Sequence, residues 1–376
     1  MTRKAVAEKR AGRGERGPER SARIARAALR WFDLHQRDLP WRKNKSRYRV
    51  WISEIMLQQT QVVSVIPYFR RFVTRFPNVR ALAAAEESEV LRLWEGLGYY
   101  RRARQLHQAA RIIVERHGAR CPDKFEQWLA LPGIGRYTAG AILSISDDQR
   151  LPILEANTIR LHCRLLGLRG DPQTATNLQR LWTFAEGQLP TRRAGDLNQA
   201  LMEIGGQVCL PRDPDCPNCP LRAECAALQD GKVHLIPRKA PAVKPTRVRQ
   251  VAVVIRRGEQ CLMRKCDPGK RWGGLWDVAR FDLTPEYQLA DVARTIREQT
   301  GLGLALGNEQ FKLRHGVTRY IIELHCYEAS RVRGRLRSSS NSGWEWIPLS
   351  ALAQLPLNVT ARRILARLHL DAKTNS

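Results

Sequence analysis

Four cysteines lie within one short segment of the chain, which reads CLPRDPDCPNCPLRAEC. Six, two and five residues separate successive thiols, and the five other cysteines are scattered along the chain. Four thiolates that converge can ligate a zinc ion or a 4Fe-4S cluster, because both accept an all-cysteine shell. The spacing therefore predicts a structural metal site and leaves the choice between these metals open. Its ligands would be Cys209, Cys216, Cys219 and Cys225.

Two glutamates stand in apolar surroundings, Glu54 in WISEIMLQQ and Glu155 in LPILEANTIR. A carboxyl group withdrawn from water stays protonated to a higher pH, which suits it to general acid catalysis. On a helix, Glu54 would share a face with Trp51, so this position favours a general acid. For Glu155 a catalytic role and a simple helix start remain open, because Glu, Asn and Thr commonly occur where helices begin.

Two glycines flank one apolar residue in LPGIGRYTAGAIL, residues 131–143. Glycine lets the backbone turn tightly and approach a phosphate, and the free N–H groups of a following helix point toward such an anion. The pattern is typical of a helix-hairpin-helix, which binds phosphates without reading sequence. We therefore predict that Gly133, Gly135 and Arg136 contact DNA phosphates.

The elements that must position these groups differ along the chain. Apolar residues recur at helical spacing from about Ser21 to Gln229, which indicates an all-α region. Strand patterns follow in QVAVVIRRGEQCLMRKC, TRYIIELHCYEA and SGWEWIPL, with helices in LADVARTIREQT and TARRILARLHL. The predicted domains are a disordered basic arm (1–21), the helical region (22–230) with its cysteine loop (209–225), a Pro-rich basic linker (231–249), an α+β domain (250–370) and a tail (371–376).

The charge of the chain points to a polyanionic partner. Its 376 residues include 64 Lys and Arg against 36 Asp and Glu, a formal net charge of +28. Such an excess raises affinity for nucleic acid, with a membrane surface as the rival. No apolar run approaches the ~20 residues of a spanning helix, and none resembles a signal peptide. We expect a cytoplasmic, bacterial nucleoid-associated monomer that binds DNA and no membrane.

Several motifs together carry a family resemblance: LPWR, WISEIMLQQTQV, LWEGLGYYRRARQLH, LPGIGRYTAGAI, LNQALMEIG and the cysteine set, in this order. The chain resembles the adenine DNA glycosylases (MutY) of the endonuclease III, or helix-hairpin-helix, superfamily. The resemblance implies a multidomain protein, with an all-α helix-hairpin-helix glycosylase region and an iron-sulfur loop, followed by a smaller α+β Nudix-like domain. It also implies one 4Fe-4S cluster and hydrolysis of adenine mispaired with 8-oxoguanine or guanine in base excision repair.

The resemblance assigns catalytic roles to Glu54, Tyr137, Glu155 and Asn157. Glu54 would protonate the adenine and then act as base toward water, while Glu155 would stabilise positive charge on the sugar. The family has Asp-Gly-Asn where this chain has Glu155, Ala156 and Asn157. Lyase-competent relatives carry lysine at Tyr137, and without an amine no Schiff base forms. A monofunctional glycosylase is therefore expected.

Other positions match residues that receive the base or enter the duplex. The base pocket would contain Trp41, Leu57, Gln199, Met202 and Glu203. The residues that wedge into the duplex would be Gln58, Gln59 and Tyr99. Ordinary core packing for Leu57 and Met202, and a solvated face for the glutamines, are the alternative interpretations.

The C-terminal motif RWGGLWDVARF, followed by DVARTIREQTGLGL, resembles a degenerate Nudix domain. Glu286 and Glu298 fit that pattern, but Thr295 and Gln299 replace acids and Arg280 replaces the leading glycine, so nucleotide hydrolysis is not expected. A domain of this kind would read 8-oxoguanine through Thr318. The other functions left open are a glycosylase for thymine opposite guanine and a catalytically impaired mismatch-binding protein.

Overall fold

The computed structural model describes residues 17–238, 244–267, 269, 272–317, 319–337 and 343–370. The chain forms two units. The first comprises Met1–Ala84 and Gln105–Ala242, and the second comprises Ala85–Arg104 and Val243–Ser376. The apolar spacing predicts that Ala85–Arg104 belongs to the helical region, whereas the structure groups this segment with the C-terminal part of the chain.

Most of the chain before residue 230 is helical, as the apolar spacing predicts. Pro18 occupies the first turn of the first helix, where a missing N–H costs nothing. Residues 18–21, predicted as part of the disordered arm, are therefore helical, and the arm before Gly17 lies outside the described residues.

Among the described residues, no helix combines the length and apolar character needed to cross a membrane. The helices are α1 (Pro18–His35), α2 (Arg47–Leu57), α3 (Val62–Arg75), α4 (Val79–Ala84), α5 (Glu87–Leu93), α6 (Arg101–Arg116), α7 (Phe125–Leu129), α8 (Arg136–Asp147), α9 (Ala156–Leu166), α10 (Ala175–Gly187), α11 (Ala194–Glu203) and α12 (Ala226–Gln229).

Helices α8 and α11 pack unusually closely in the first unit. A Cβ on Gly195 would lie 2.0 Å from the carbonyl oxygen of Ser144, so only glycine permits this approach. Asp148 follows α8, and its carboxylate accepts the backbone N–H groups of Arg193, at 2.6 Å, and Gly195, at 3.0 Å. An acid at a helix N-terminus satisfies free donors and complements the helix dipole. The end of α8 thus fixes where α11 begins.

The second unit contains two sheets and two further helices, α13 (Leu289–Thr300) and α14 (Val359–Arg367). One sheet has the strand order β5-β1-β7-β6, in which β1 and β7 are parallel and the other pairs antiparallel. The other sheet has the order β2-β3-β4, with β8 paired to β3. The strands are β1 (Thr246–Val254), β2 (Arg256–Arg257), β3 (Gln260–Lys265), β4 (Trp276–Asp277), β5 (Ala279–Leu283), β6 (Gly303–Val317), β7 (Tyr320–Arg333) and β8 (Trp344–Pro348).

The strand boundaries correct two sequence-based expectations. Strand β1 begins at Thr246, so the last residues of the predicted linker 231–249 are part of the sheet. Strand β6 was not predicted, because GLALGNEQFKLRHGV does not alternate cleanly between apolar and polar residues. Register shifts between Gly303 and Phe311 explain this, since bulges interrupt the period of two.

Candidate active site and cysteine loop

Glu54 lies on α2, a helix whose side chains are buried almost throughout. Only 4% of Glu54 is exposed, and the Tyr137 hydroxyl donates a hydrogen bond to its Oε2 at 2.5 Å. Burial raises the pKa of Glu54 to about 7. The Tyr137 hydrogen bond lowers this pKa, the negative charge of Glu155 raises it further, and the positive charge of Arg42 lowers it. Both the protonated and the ionised form of this carboxyl are therefore populated near neutral pH, which suits general acid catalysis.

Glu155 is the N-cap of α9. Its Oε2 accepts the backbone N–H of Asn157 at 2.9 Å, and its Oε1 accepts that of Thr158 at 2.8 Å. The hydroxyl of Thr158 in turn accepts the backbone N–H of Glu155, which completes a capping box. Burial raises the pKa of Glu155, whereas these two backbone bonds and Arg160 favour its ionised form. Glu155 therefore begins α9 and caps it, and its negative charge also acts on Glu54.

Arg160 holds Asn157 and was missed by the sequence analysis. Its Nη2 donates to Asn157 Oδ1 at 3.0 Å and to the carbonyl of Gly205 at 2.5 Å, and its Nε donates to the carbonyl of Cys209 at 2.7 Å. A Cβ on Gly205 would lie 2.9 Å from Asn157 Cβ. Only the position of Arg160 on the face of α9 that carries Asn157 could have suggested this role.

Arg42 joins the predicted pocket residues and was also missed, although it directly follows Trp41 in LPWR. Its Nε donates to Gln199 Oε1 at 2.8 Å, and its Nη1 donates to Glu203 Oε1 at 2.5 Å. Gln207 donates to the other oxygen of Glu203 at 2.7 Å. Only 1% of Glu203 is exposed, so the pair is a buried, charge-assisted contact.

The remaining predicted pocket and wedge residues of the first unit lie around these helices. Trp41 is buried and packs edge-on against Phe69, with ring centroids 5.4 Å apart. Leu57 and Met202 are half-buried. Gln58 Nε2 donates to Thr138 Oγ1 at 3.4 Å, and Gln59 is exposed with a φ of 58°. Tyr99 belongs to the second unit.

The glycine hairpin precedes α8. Gly133 has a φ of +77°, and a Cβ there would lie 2.9 Å from Gln105 Cβ, so both its conformation and its surroundings require glycine. Gly133, Gly135 and Arg136 are exposed. The guanidinium of Arg136 lies 3.8 Å from the ring centroid of Trp182, which holds it on a cation–π contact.

All four predicted ligand cysteines line one cavity. Arg164 Nη1 donates to Cys209 Sγ at 3.2 Å and to the carbonyl of Leu210 at 2.7 Å. Among the described residues, no group of His, Cys, Asp or Glu forms a site for a metal ion.

Helix α1 anchors the segment between the last two of these cysteines. Arg20 Nη2 donates to the carbonyls of Leu165, at 2.8 Å, and Glu224, at 2.7 Å. Arg23 Nε donates to Glu224 Oε1 at 2.6 Å. The cysteine loop is therefore tied to both α1 and α9.

The acids of the degenerate Nudix motif are not gathered into a site. Glu286 is exposed before α13, and Glu298, in the last turn of α13, is exposed with its carboxylate 4.0 Å from Arg294. Arg280 is buried and instead contacts the carboxylate of Asp277 at 2.8 Å and the hydroxyl of Thr360 at 2.7 Å. Thr318, the predicted lesion reader, lies outside the described residues.

Comparisons with known proteins match both units. Residues 52–186 match the HhH-GPD superfamily base excision DNA repair proteins, and residues 250–367 match the NUDIX domain family. The adenine DNA glycosylase of Buchnera aphidicola subsp. Schizaphis graminum is 40% identical over 255 residues, which cover 68% of this chain and 74% of that protein. The Homo sapiens adenine DNA glycosylase is 43% identical over 210 residues, covering 54% of this chain and 38% of that protein.

Solved structures agree with these sequence matches. A thermostable thymine-DNA glycosylase has 25% identity and a TM-score of 0.52, covering 56% of this chain and 98% of its own. An endonuclease III in a non-covalent DNA complex has 16% identity and a TM-score of 0.50, covering 57% of this chain and 98% of its own. The second likeness concerns the fold alone.

Proposed function

Since the chain belongs to the adenine DNA glycosylase family, we propose that it hydrolyses the N-glycosidic bond of adenine mispaired with 8-oxoguanine or guanine in double-stranded DNA. Membership of the family shows that the reaction is adenine excision in base excision repair. The identity of the base opposite the adenine is what we propose. The observation that carries the proposal is the buried Glu54 carboxyl, hydrogen-bonded to Tyr137, with a pKa raised to about 7. The net charge of +28 supports a duplex as the substrate.

Glu54 acts as the proton donor in this proposal. An adenine flipped out of the duplex is a poor leaving group until a ring nitrogen is protonated. Glu54 protonates the base, and its carboxylate then accepts a proton from the attacking water. The hydroxyl of Tyr137 keeps the Glu54 carboxyl oriented, and since burial raises the pKa of Tyr137 well above its usual value, it remains a donor.

Glu155 stabilises the positive charge that develops on the sugar. Two backbone N–H groups at the start of α9 hold its carboxylate in one orientation and favour its ionised form. Asn157, held by Arg160, occupies the first turn of the same helix. Tyr137 carries no amine, so no Schiff base forms there and the enzyme is monofunctional.

The base pocket forms around Arg42. Its buried contacts with Gln199 and Glu203 present fixed polar groups, which can recognise the edge of a flipped base. Trp41, Leu57 and Met202 provide apolar surface beside them. The residues that enter the duplex, in the space that the flipped base leaves, are Gln58, Gln59 and Tyr99. DNA phosphates are bound by Gly133, Gly135 and Arg136. Thr318 contacts the 8-oxoguanine opposite the adenine.

One 4Fe-4S cluster is the proposed cofactor, held by Cys209, Cys216, Cys219 and Cys225. The fit rests on the four thiols around one cavity and on Arg164, whose guanidinium donates to Cys209 Sγ and offsets the negative charge of a ligating thiolate. Held by these four thiolates, the cluster would supply a structural cross-link within the cysteine loop. Arg20 and Arg23 attach this loop to α1.

Single-turnover excision assays test the proposal. Duplexes would contain A opposite 8-oxoguanine, A opposite guanine and T opposite guanine, and Glu54→Gln would serve as the inactive control. We expect base release from the first two duplexes only. Release of thymine alone would support the thymine glycosylase alternative, which the thymine-DNA glycosylase neighbour makes worth testing. Tight binding to all three duplexes without release from any would identify a non-catalytic mismatch-binding protein.

A further inference from the structure

The segment from Trp94 to Tyr100, here termed the Tyr99 loop, presents an aromatic side chain in an unusual backbone conformation. Tyr99 is 50% exposed and has a φ of 48°. Gly96 and Gly98 nearby have φ values of 103° and 71°. A residue with a side chain rarely adopts positive φ, and such strain persists where the surroundings enforce it. An exposed ring held in this way is suited to stack against a base.

The inside of the Tyr99 loop is fixed by Arg102. Its Nη2 lies 3.3 Å from the carbonyl oxygens of both Leu97 and Gly98. Its guanidinium is 5.5 Å from the ring centroids of Tyr99 and Trp94. Trp94 Nε1 also donates to the carbonyl of Gly98 at 3.1 Å. The loop therefore has a defined shape, with the backbone oxygens of Leu97 and Gly98 hydrogen-bonded.

A bidentate ion pair connects this loop to α14. Arg362 Nε and Nη2 donate to the two carboxylate oxygens of Glu95 at 2.8 and 2.9 Å. The same guanidinium donates to the carbonyls of Leu352, at 3.0 Å, and Leu355, at 2.9 Å. The side chains of Glu95 and Arg362 are only 17% and 22% exposed. Two parallel bonds fix orientation as well as distance, so Glu95 cannot rotate freely.

Other contacts hold the helices on either side of the loop. Arg104, in the first turn of α6, donates through Nη1 to the carbonyl of Gly273. Gly274 packs against α5, since a Cβ there would lie 3.3 Å from Glu87 Oε1 and 3.4 Å from Leu91 Cδ1. Both ends of the Tyr99 loop are thus supported by residues from the C-terminal part of the chain, and Glu95 is the point of support within the loop.

We propose that Glu95 and Arg362 form a positioning pair that holds Tyr99 in the conformation in which it stacks within the duplex. The proposal rests on the proposed function of Tyr99 as a wedge residue. It assigns the second unit, here termed the Nudix-like unit because its residues 250–367 match the NUDIX domain family, a second role besides contact with the opposite lesion, because α14 supplies the arginine. A pre-shaped wedge avoids ordering the loop when DNA binds, so loss of the pair slows excision.

The test compares single and double substitutions in the whole 376-residue chain, with single-turnover excision from a duplex containing A opposite 8-oxoguanine. Tyr99→Ala is expected to slow excision roughly tenfold to a hundredfold through lost stacking. Glu95→Gln, which keeps the size but not the charge, is expected to slow it by about fivefold to tenfold. In the Tyr99→Ala background, Glu95→Gln is expected to add less than about twofold, because its effect passes through the ring.

Asp33→Asn is the matched control, since Asp33 also forms a bidentate pair, with Arg193 in the first unit. It is expected to leave the rate within about twofold. Arg362→Lys is the second variant, because lysine keeps the charge but cannot bridge both oxygens. It is expected to slow excision as Glu95→Gln does, with thermal unfolding confirming that each variant is folded at the assay temperature.

A fluorescent base analogue beside the mispair provides a readout that lost stability alone would not change. Glu95→Gln is expected to leave the analogue in a state between those given by the unaltered protein and by Tyr99→Ala. Wild-type rates for both Glu95→Gln and Arg362→Lys would overturn the positioning pair, as would effects of Glu95→Gln and Tyr99→Ala that multiply. An unaltered rate for Tyr99→Ala would overturn the wedge itself, whereas no adenine release by the unsubstituted chain would overturn the proposed function.

Discussion

The two units of this protein both contain glutamates that chemistry could use, but they place them differently. In the first unit, which is helical, Glu54 is buried against Tyr137, and Glu155 is fixed at the start of α9. In the Nudix-like unit, Glu286 and Glu298 remain exposed to solvent. A carboxyl group gains an unusual pKa only where burial and specific partners act on it. Fold similarity therefore says less about activity than the surroundings of individual side chains do.

The strongest test of this contrast is removal of the two kinds of glutamate. Glu54→Gln is expected to slow single-turnover adenine release by about 10³-fold, because the proton donor to the base is lost. Glu298→Gln is expected to leave the rate within about twofold. Its carboxylate is exposed, and the ion pair that it forms with Arg294 is long, at 4.0 Å. Duplex binding, measured separately, should be retained by both. Comparable rates for the two variants would abolish the distinction between the units.

Cysteine substitutions extend the contrast from acids to thiols. Cys219→Ser is expected to lower iron content per chain and to reduce the free energy of unfolding by about 3 kcal/mol or more, because metal binding is coupled to folding. Cys326→Ser alters a buried cysteine of the Nudix-like core, and is expected to leave iron content unchanged. Iron analysis and denaturant unfolding check both variants. Full iron content in Cys219→Ser would refute the proposed ligand set.

Glu155 separates the structural and chemical roles of one carboxylate. Glu155→Ala is expected to cost about 1 kcal/mol of stability through loss of the N-cap and to slow excision about a hundredfold. Asp291→Ala, which removes an acceptor at the start of α13, is expected to cost similar stability without slowing excision. A rate loss shared by both would mean that Glu155 acts through stability alone.

Glu155→Asp measures how far the loop has adapted to the longer acid. An aspartate would still reach the cap but would withdraw the charge by roughly 1.5 Å. We expect adenine release to slow about tenfold, since Glu155 already makes both backbone bonds without strain on the helix start. Faster release by the aspartate variant would show instead that the extra carbon hinders the reaction.

The pH dependence gives the most specific effect. Because the pKa of Glu54 is about 7, the rate of adenine release should fall about tenfold per pH unit above that value, as the proton donor is lost. The Tyr137 hydrogen bond lowers this pKa, so Tyr137→Phe should shift the decline to higher pH. Glu298→Gln should leave the profile unchanged. A shift to lower pH in Tyr137→Phe would contradict the assigned hydrogen bond.

The same pKa affects stability with a defined sign. The folded-state pKa of Glu54 lies above the ordinary glutamate value of about 4.3. Its neutral form is thus favoured by folding, and that stability is fully present below the unfolded pKa and lost as the pH rises through about 7. Urea unfolding of Glu54→Gln should lack this decline.

Much of the architecture follows from patterns in the chain. The apolar spacing predicts the helices that surround Glu54, and α13 runs from Leu289 to Thr300, the segment predicted. Strand β6 escaped prediction because its bulges break alternation, and the start of α1 was placed too late because a Pro-initiated, highly charged first turn has little apolar pattern. Local patterns predict elements well where one face is buried and regular.

The sequence by itself determined the chemistry available to this protein: the cysteine spacing, the glycine hairpin and two glutamates in apolar surroundings. Only the tertiary structure showed that Arg42 binds Glu203 161 positions away and that Glu95 pairs with Arg362 267 positions away. The physical reason is that such pairs depend on the arrangement of distant helices in space. The spacing of residues along the sequence does not indicate which buried charged groups will form pairs.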